Sequence, residues 1–143
     1  MVLFSRKPPL PPEHHAAWWS FLDCAAAIEA GRRVLLGTLP TGRVEPAPVA
    51  VGVEALGRSI EDVRGWMPDW RLDEIAEDWD DCVAALDTAE AELATVVEVA
   101  AETNELEELL EAVSAVVGPL DAFADVEKAW RRIWRPPLDR ERP

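Results

Sequence analysis

The sequence predicts an all-α fold, an antiparallel bundle of four or five helices with a proline-rich N-terminal arm. Three observations support this prediction. Apolar residues recur at intervals of three and four along most of the chain, and no segment shows the continuous alternation that is typical of strands. Glycine and proline residues divide the chain into segments of helical length. Because the connections between these segments are short, neighbouring helices should be antiparallel.

The first 48 residues are predicted to form an arm, a helix and a connector. Prolines between positions 8 and 12 favour an extended polyproline conformation, so residues 1–12 are interpreted as the arm. Helix one is expected from about Glu13 to Leu36. Residues 37–46 are predicted to be a connector, and a small hairpin of 34–36 with 43–45 is an alternative. Pro46 and Pro48 then mark the start of the second helix.

The second and third helices carry the most regular apolar stripes. The stripe of helix two consists of Val49, Val53, Leu56, Ile60, Val63 and Met67. Pro68 should end this helix, and Asp69 is expected to cap the next one. Helix three is predicted from about Trp70 to Glu102, with a stripe sustained over about four heptads that is typical of coiled-coil-like packing.

The stripe of helix three loses its phase after Ala100, which predicts a break at positions 103–104. Asn104, followed three residues later by Glu107, resembles a capping box for a fourth helix. Helices four and five are expected at about 105–117 and 120–135. The bundle is therefore one domain over residues 13–135, and residues 136–143 are expected to be a frayed tail.

Composition limits the environment and the class of protein. No run of apolar residues reaches the length of about 18 that a membrane span needs, and the start of the chain lacks the apolar run of a secretory signal. Cys24 and Cys82 lie on different predicted helices and are interpreted as buried thiols, which favours the cytoplasm. Arginine outnumbers lysine 12 to 2, and alanine and valine are abundant, which is typical of a bacterial protein.

The charge of the chain is concentrated in one stretch. The formal net charge is −14, and residues 72–127 contain 18 acidic and no basic side chains. This distribution disfavours direct binding to nucleic acid or to an anionic membrane, because both need a basic face. Like charges on one helix repel, so a cation, a basic partner or the arginines at positions 131, 132 and 135 of the same chain are expected opposite this stretch.

These observations predict a non-enzymatic interaction module that presents an acidic helical face to a basic protein, as immunity proteins, antitoxins, chaperones and inhibitors do. No nucleophile motif or phosphate-binding loop is present, and no cofactor is expected. Tryptophan is a preferred residue at protein interfaces, and three of the seven tryptophans are candidates for exposure. The predicted partner-binding residues are Asp73, Glu77, Asp80, Asp81, Asp87, Trp19, Trp66 and Trp134.

Two alternatives remain open. Carboxylates three positions apart on a helix can chelate Mg²⁺ or Mn²⁺, so Glu74, Glu77, Glu105 and Glu108 could serve an all-helical hydrolase of a phosphorylated small molecule. The stretch lacks the lysine or arginine that such a site would need for phosphate. The heptad stripe of helix three would suit a structural homo-oligomer instead.

Overall fold

In a computed structural model, which describes residues 6–143, the chain forms a helical bundle. Its long elements are α1 (His15–Gly37), α2 (Pro46–Trp66), α3 (Ala76–Glu102), α4 (Leu106–Val117) and α5 (Ala122–Ile133). The described part of the chain contains no β-strand, and residues 34–36 belong to α1. The predicted all-α fold is therefore confirmed, and the alternative hairpin is wrong.

The segment between α2 and α3 differs from the prediction. α3 begins at Ala76 and not near Trp70, because two short 3₁₀ turns, Met67–Trp70 and Asp73–Ile75, precede it. The backbone is extended at Leu72, between the turns. Both Trp70 and Ile75 are fully buried, so this segment follows the core surface and does not continue a helical axis. Asp69 consequently lies within the first turn and caps no helix.

The predicted break between helices three and four is confirmed, but its capping differs. Thr103 is extended, and its hydroxyl accepts a hydrogen bond from the backbone N–H of Glu105 at 3.0 Å. Glu105 holds the position that precedes α4, and no side chain caps this helix end. The predicted capping box of Asn104 and Glu107 is therefore wrong, because the local turn is closed by threonine instead.

α1 and α2 form the most extensive helix–helix contact, and α3 packs against α2, α4 and α5. The apolar stripe of α3 faces these neighbours: Leu86, Ala89 and Val96 are all fully buried. The stripe is thus buried inside the bundle. Each Å² of apolar surface that is removed from water there stabilises the fold by about 25 cal/mol.

An aromatic cluster joins the elements at one end of the bundle. Trp18 of α1 meets Trp130 of α5 edge to face, with ring centroids 5.4 Å apart. Phe21 meets Trp70 in the same way at 5.0 Å, and Trp130 also contacts Trp134. Edge-to-face packing aligns the positive ring edge with the negative ring face of its neighbour, which adds to the stabilisation from burial alone.

Both flanking segments lie against the bundle. The backbone carbonyl of Pro8 accepts a hydrogen bond from Arg135 at 2.8 Å, and Leu10 donates to the carbonyl of Arg135 at 2.9 Å. Leu10 is buried, which anchors the proline-rich segment beside the end of α5. In the C-terminal segment, the guanidinium of Arg142 donates hydrogen bonds to the carboxylate of Asp23 in α1. Within residues 6–143, every helix falls short of the combination of length and apolar character that a membrane span requires.

Candidate protein-interaction surface

The acidic residues predicted to bind a partner lie along the start and outer side of α3. Asp73 sits in the 3₁₀ turn that leads into the helix, and Glu77, Asp80, Asp81 and Asp87 follow within it. All five side chains are exposed. At about 100° per residue, the positions 77, 80 and 87 point away from the core side of the helix. We call these five residues the α3 acidic face.

Most of this charge is left unneutralised by the fold. Among residues 6–143, 12 of the 18 acidic side chains between positions 72 and 127 form no ion pair. Within the α3 acidic face, only Asp87 has a partner, the guanidinium of Arg64 at 2.8 Å. Just behind the face, Glu74 lies 4.0 Å from the imidazole of His14. The repulsion between neighbouring carboxylates therefore persists over the first turns of α3.

The arginines considered as internal counter-charges do not face these carboxylates. Arg131 pairs with Glu127 of its own helix at 3.4 Å, and within the described chain Arg132 and Arg135 pair with no acidic residue of α3. Instead, Arg131 and Arg135 line a shallow pocket around Trp134, together with basic residues of the N-terminal segment. α5 does contact the Asp73–Ile75 turn before α3, but Arg131 pairs within its own helix, and Arg131 and Arg135 lie on the side that faces the N-terminal segment.

The tryptophan predictions are corrected in part. Trp66 is 40% exposed, as predicted, whereas Trp19 and Trp134 are each only 7% exposed. Trp134 is covered because it follows α5 and packs against Trp130 and His14. The guanidinium of Arg142 lies over the ring of Trp19, 5.6 Å from its centroid. Helical periodicity cannot predict burial by residues distant in the sequence, such as His14 against Trp134 and Arg142 over Trp19.

Trp19 and Trp66 nevertheless line one open groove of about 710 Å³ between α1 and the end of α2. Asp23 and Asp69 also line it, and Arg142 enters it from residues 136–143. Arg142 donates hydrogen bonds to both carboxylate oxygens of Asp23, at 2.9 and 2.7 Å. These bonds raise the pKa of Arg142 above its usual value. We call this site the Trp19–Trp66 groove.

Sequence reasoning missed three residues of this groove. Asp23 and Asp69 each stand alone among apolar neighbours, and Arg142 is separated from Asp23 by 119 positions. No spacing rule connects positions so far apart. The one available signal was local: Asp23 follows Trp19 by four positions in α1, and Asp69 follows Trp66 by three positions in the turn after α2.

The four carboxylates considered for a metal site do not converge. Glu77 and Glu102 are separated by roughly 37 Å along the axis of α3, at about 1.5 Å per residue. The three residues from Glu102 to Glu105 can span at most about 11 Å. Glu74 and Glu77 therefore lie at the opposite end of α3 from Glu105 and Glu108, and the predicted shared metal site is wrong. The described residues contain no group of three or more potential ligands that could hold a metal ion.

The two cysteine side chains lie in the hydrophobic core. Cys24 and Cys82 are free thiols and are fully buried, as predicted. Burial disfavours the thiolate and raises the pKa of Cys24 to about 11. The pKa of Cys82 is also raised, first by burial and then by the nearby charges of Asp81 and Asp78. Thiols in this state are poor nucleophiles at neutral pH.

Comparisons with family models, with curated proteins and with solved structures find no match for this chain.

Proposed function

We propose that this protein is a non-enzymatic interaction module whose α3 acidic face binds a basic surface of a partner protein. One observation carries the proposal: four of the five exposed carboxylates of that face have no ion pair within residues 6–143. Repulsion between these carboxylates lowers the stability of the fold by a few tenths of a kcal/mol for each close pair. A basic partner would neutralise the charges and remove this cost.

The helix that carries the α3 acidic face supports the same proposal. α3 has 27 residues and is therefore about 40 Å long at about 1.5 Å per residue. Its acidic residues project from a rigid scaffold whose opposite side is buried in the bundle. A single-sign field on such a scaffold would speed association with a basic protein and select against acidic partners. A phosphate backbone would be repelled, which argues against nucleic acid as the direct partner.

The two alternatives receive less support. A hydrolase built on Glu74, Glu77, Glu105 and Glu108 lacks a shared site, because its two carboxylate pairs lie at opposite ends of α3. The heptad stripe of α3 is packed inside the bundle, so it is not available to a second copy of the chain. The two buried free thiols suit a reducing compartment, and we keep the cytoplasm as the proposed location.

Charge reversal tests the proposal directly. The triple variant Asp73→Lys, Glu77→Lys and Asp80→Lys should lose binding to one basic protein that the unmodified chain captures, while circular dichroism shows that its helices persist. A control variant carries Glu45→Lys, Glu61→Lys and Asp62→Lys. These three residues are exposed and lie just before α2 and within it, and the change in net charge is the same.

The control separates recognition from a general charge effect. If the proposal holds, the control keeps the captured protein, and its association rate falls steeply with added salt. Capture that survives in the α3 variant would refute the proposal. Equal loss in both variants would also refute it, because the partner would then respond to net charge and not to this face.

A further inference from the structure

The Trp19–Trp66 groove combines two features that together recognise a guanidinium group. A single guanidinium nitrogen of Arg142, Nη2, donates hydrogen bonds to both carboxylate oxygens of Asp23, at 2.9 and 2.7 Å. Trp19 offers an aromatic face to the same group, at 5.6 Å from the ring centroid. A planar guanidinium can lie over a ring while its N–H groups still reach a carboxylate, whereas a lysine ammonium is a compact point charge that stacks less well.

The groove extends beyond the contact with Arg142. Asp69 also lines it and has no ion pair in the described structure, and Trp66 leaves 40% of its surface exposed. A second carboxylate and a second aromatic ring are thus free beside the occupied position. The groove has room for a longer basic segment than the single arginine it now holds.

The ion pair between Arg142 and Asp23 is accessible to solvent, so Arg142 can dissociate from the groove. Its side chain and that of Asp23 are each about half exposed, at 44% and 50%. The backbone hydrogen bonds of residues 138–143 connect this segment only to itself, through the turn Asp139–Glu141. The two bonds from Arg142 to Asp23 are the hydrogen bonds that tie this segment to the helices in the part of the chain described.

We infer that the Trp19–Trp66 groove binds an arginine side chain of a basic partner protein, and that Arg142 is an internal occupant which the partner's arginine displaces. This inference takes from the proposed function only that the partner protein is basic. Its site is separate from the α3 acidic face, since it is built from α1, the end of α2 and the turn that contains Asp69.

The test uses the full chain and a capped synthetic peptide with the sequence of residues 136–143. Arg142→Ala should leave the groove open, and titration with the peptide should shift the indole N–H signal of Trp19 in a saturable way. The unmodified chain should bind the same peptide at least about threefold more weakly, because its groove is free in only a fraction of the molecules. A peptide with lysine in place of the residue corresponding to Arg142 should bind more weakly still.

Two second-site variants, each combined with Arg142→Ala, give the control. Asp23→Asn should abolish peptide binding, whereas Asp62→Asn makes the same change on an exposed carboxylate outside the groove and should preserve it. The inference is overturned if the peptide fails to saturate the Arg142→Ala chain at millimolar concentration, if Asp23→Asn binds as well as Asp62→Asn, or if the lysine peptide binds as tightly as the arginine peptide.

These results are distinguishable from a failure of the proposed function. The triple variant of the α3 acidic face leaves the groove intact, so it should bind the peptide even when it has lost the basic protein. Retained partner capture in that variant would refute the proposed function without affecting peptide binding in the groove.

Discussion

Gly52 of α2 and Leu35 of α1 fix the spacing of these two helices: a Cβ atom on Gly52 would lie 2.9 Å from the Cα atom of Leu35. It would also lie 2.8 Å from a methyl carbon of Thr38. A backbone atom cannot move aside without shifting its helix. Gly52→Ala is therefore expected to destabilise the fold by about 1–3 kcal/mol, measured by urea denaturation.

Gly65→Ala is the matched control for this prediction. Gly65 lies in the same helix, and a Cβ atom there would have no neighbour within 4 Å. Alanine should raise stability by about 0.5–1 kcal/mol, because glycine loses more conformational entropy in a helix. A Gly52→Ala variant as stable as the unmodified chain would show that the two helices can separate at low cost.

The two buried thiols predict a loss of stability at alkaline pH. The pKa of Cys24 is raised from 9.0 to about 11 in the folded state, so the fold favours the neutral thiol. This contribution is complete below the unfolded pKa and is lost as the pH rises from 9 toward the folded value. Each thiol should lower the free energy of unfolding by at most about 1.4 kcal/mol per pH unit in that window.

Few other groups titrate in the same window, since the chain has no tyrosine and only two lysines. The double variant Cys24→Ala and Cys82→Ala should therefore flatten the pH dependence between about 9 and 11, even if its stability at neutral pH is lower. Urea denaturation at a series of pH values measures the slope. An unchanged slope in the double variant would exclude the thiols as its cause.

Repulsion within the α3 acidic face predicts that the fold is more stable in salt. Asp80→Lys should raise the free energy of unfolding by a few tenths of a kcal/mol, because it replaces repulsion from Glu77 with attraction. Asp87→Lys is the control, since it removes the ion pair with Arg64 at 2.8 Å and should give no gain. Denaturation at about 20 and 500 mM NaCl should show the benefit of Asp80→Lys shrinking as salt screens the charges. A destabilised Asp80→Lys chain would contradict this prediction.

Because Glu74 and Glu77 are far from Glu105 and Glu108, we predict that Mn²⁺ does not specifically stabilise the fold. At about 1 mM Mn²⁺, a site of micromolar affinity would add roughly 4 kcal/mol to the free energy of unfolding. The melting temperature should instead rise no more than it does with Ca²⁺ at the same ionic strength. A larger rise with Mn²⁺ that disappears in Glu74→Ala would place a metal site on α3 and contradict the geometry.

Local patterns predicted the helices because their causes are local. The apolar stripe of α2 and the prolines at its two ends correctly predicted that helix, and the loss of phase after Ala100 correctly predicted the end of α3. The start of α3 was misplaced, because the burial of Trp70 and Ile75 by other parts of the chain overrides the helical tendency of the segment between them.

Local sequence patterns are sufficient to predict the all-α class, the helix ends that glycine, proline and periodicity mark, and the concentration of negative charge between residues 72 and 127. The contacts between distant side chains depend on how the helices pack together. The tertiary structure places Arg142 on Asp23, buries Trp19 and Trp134, and keeps Glu74 far from Glu105. These contacts could not be predicted because periodicity fixes only the direction of a side chain from its own helix, whereas a contact also depends on which other segment folds against it.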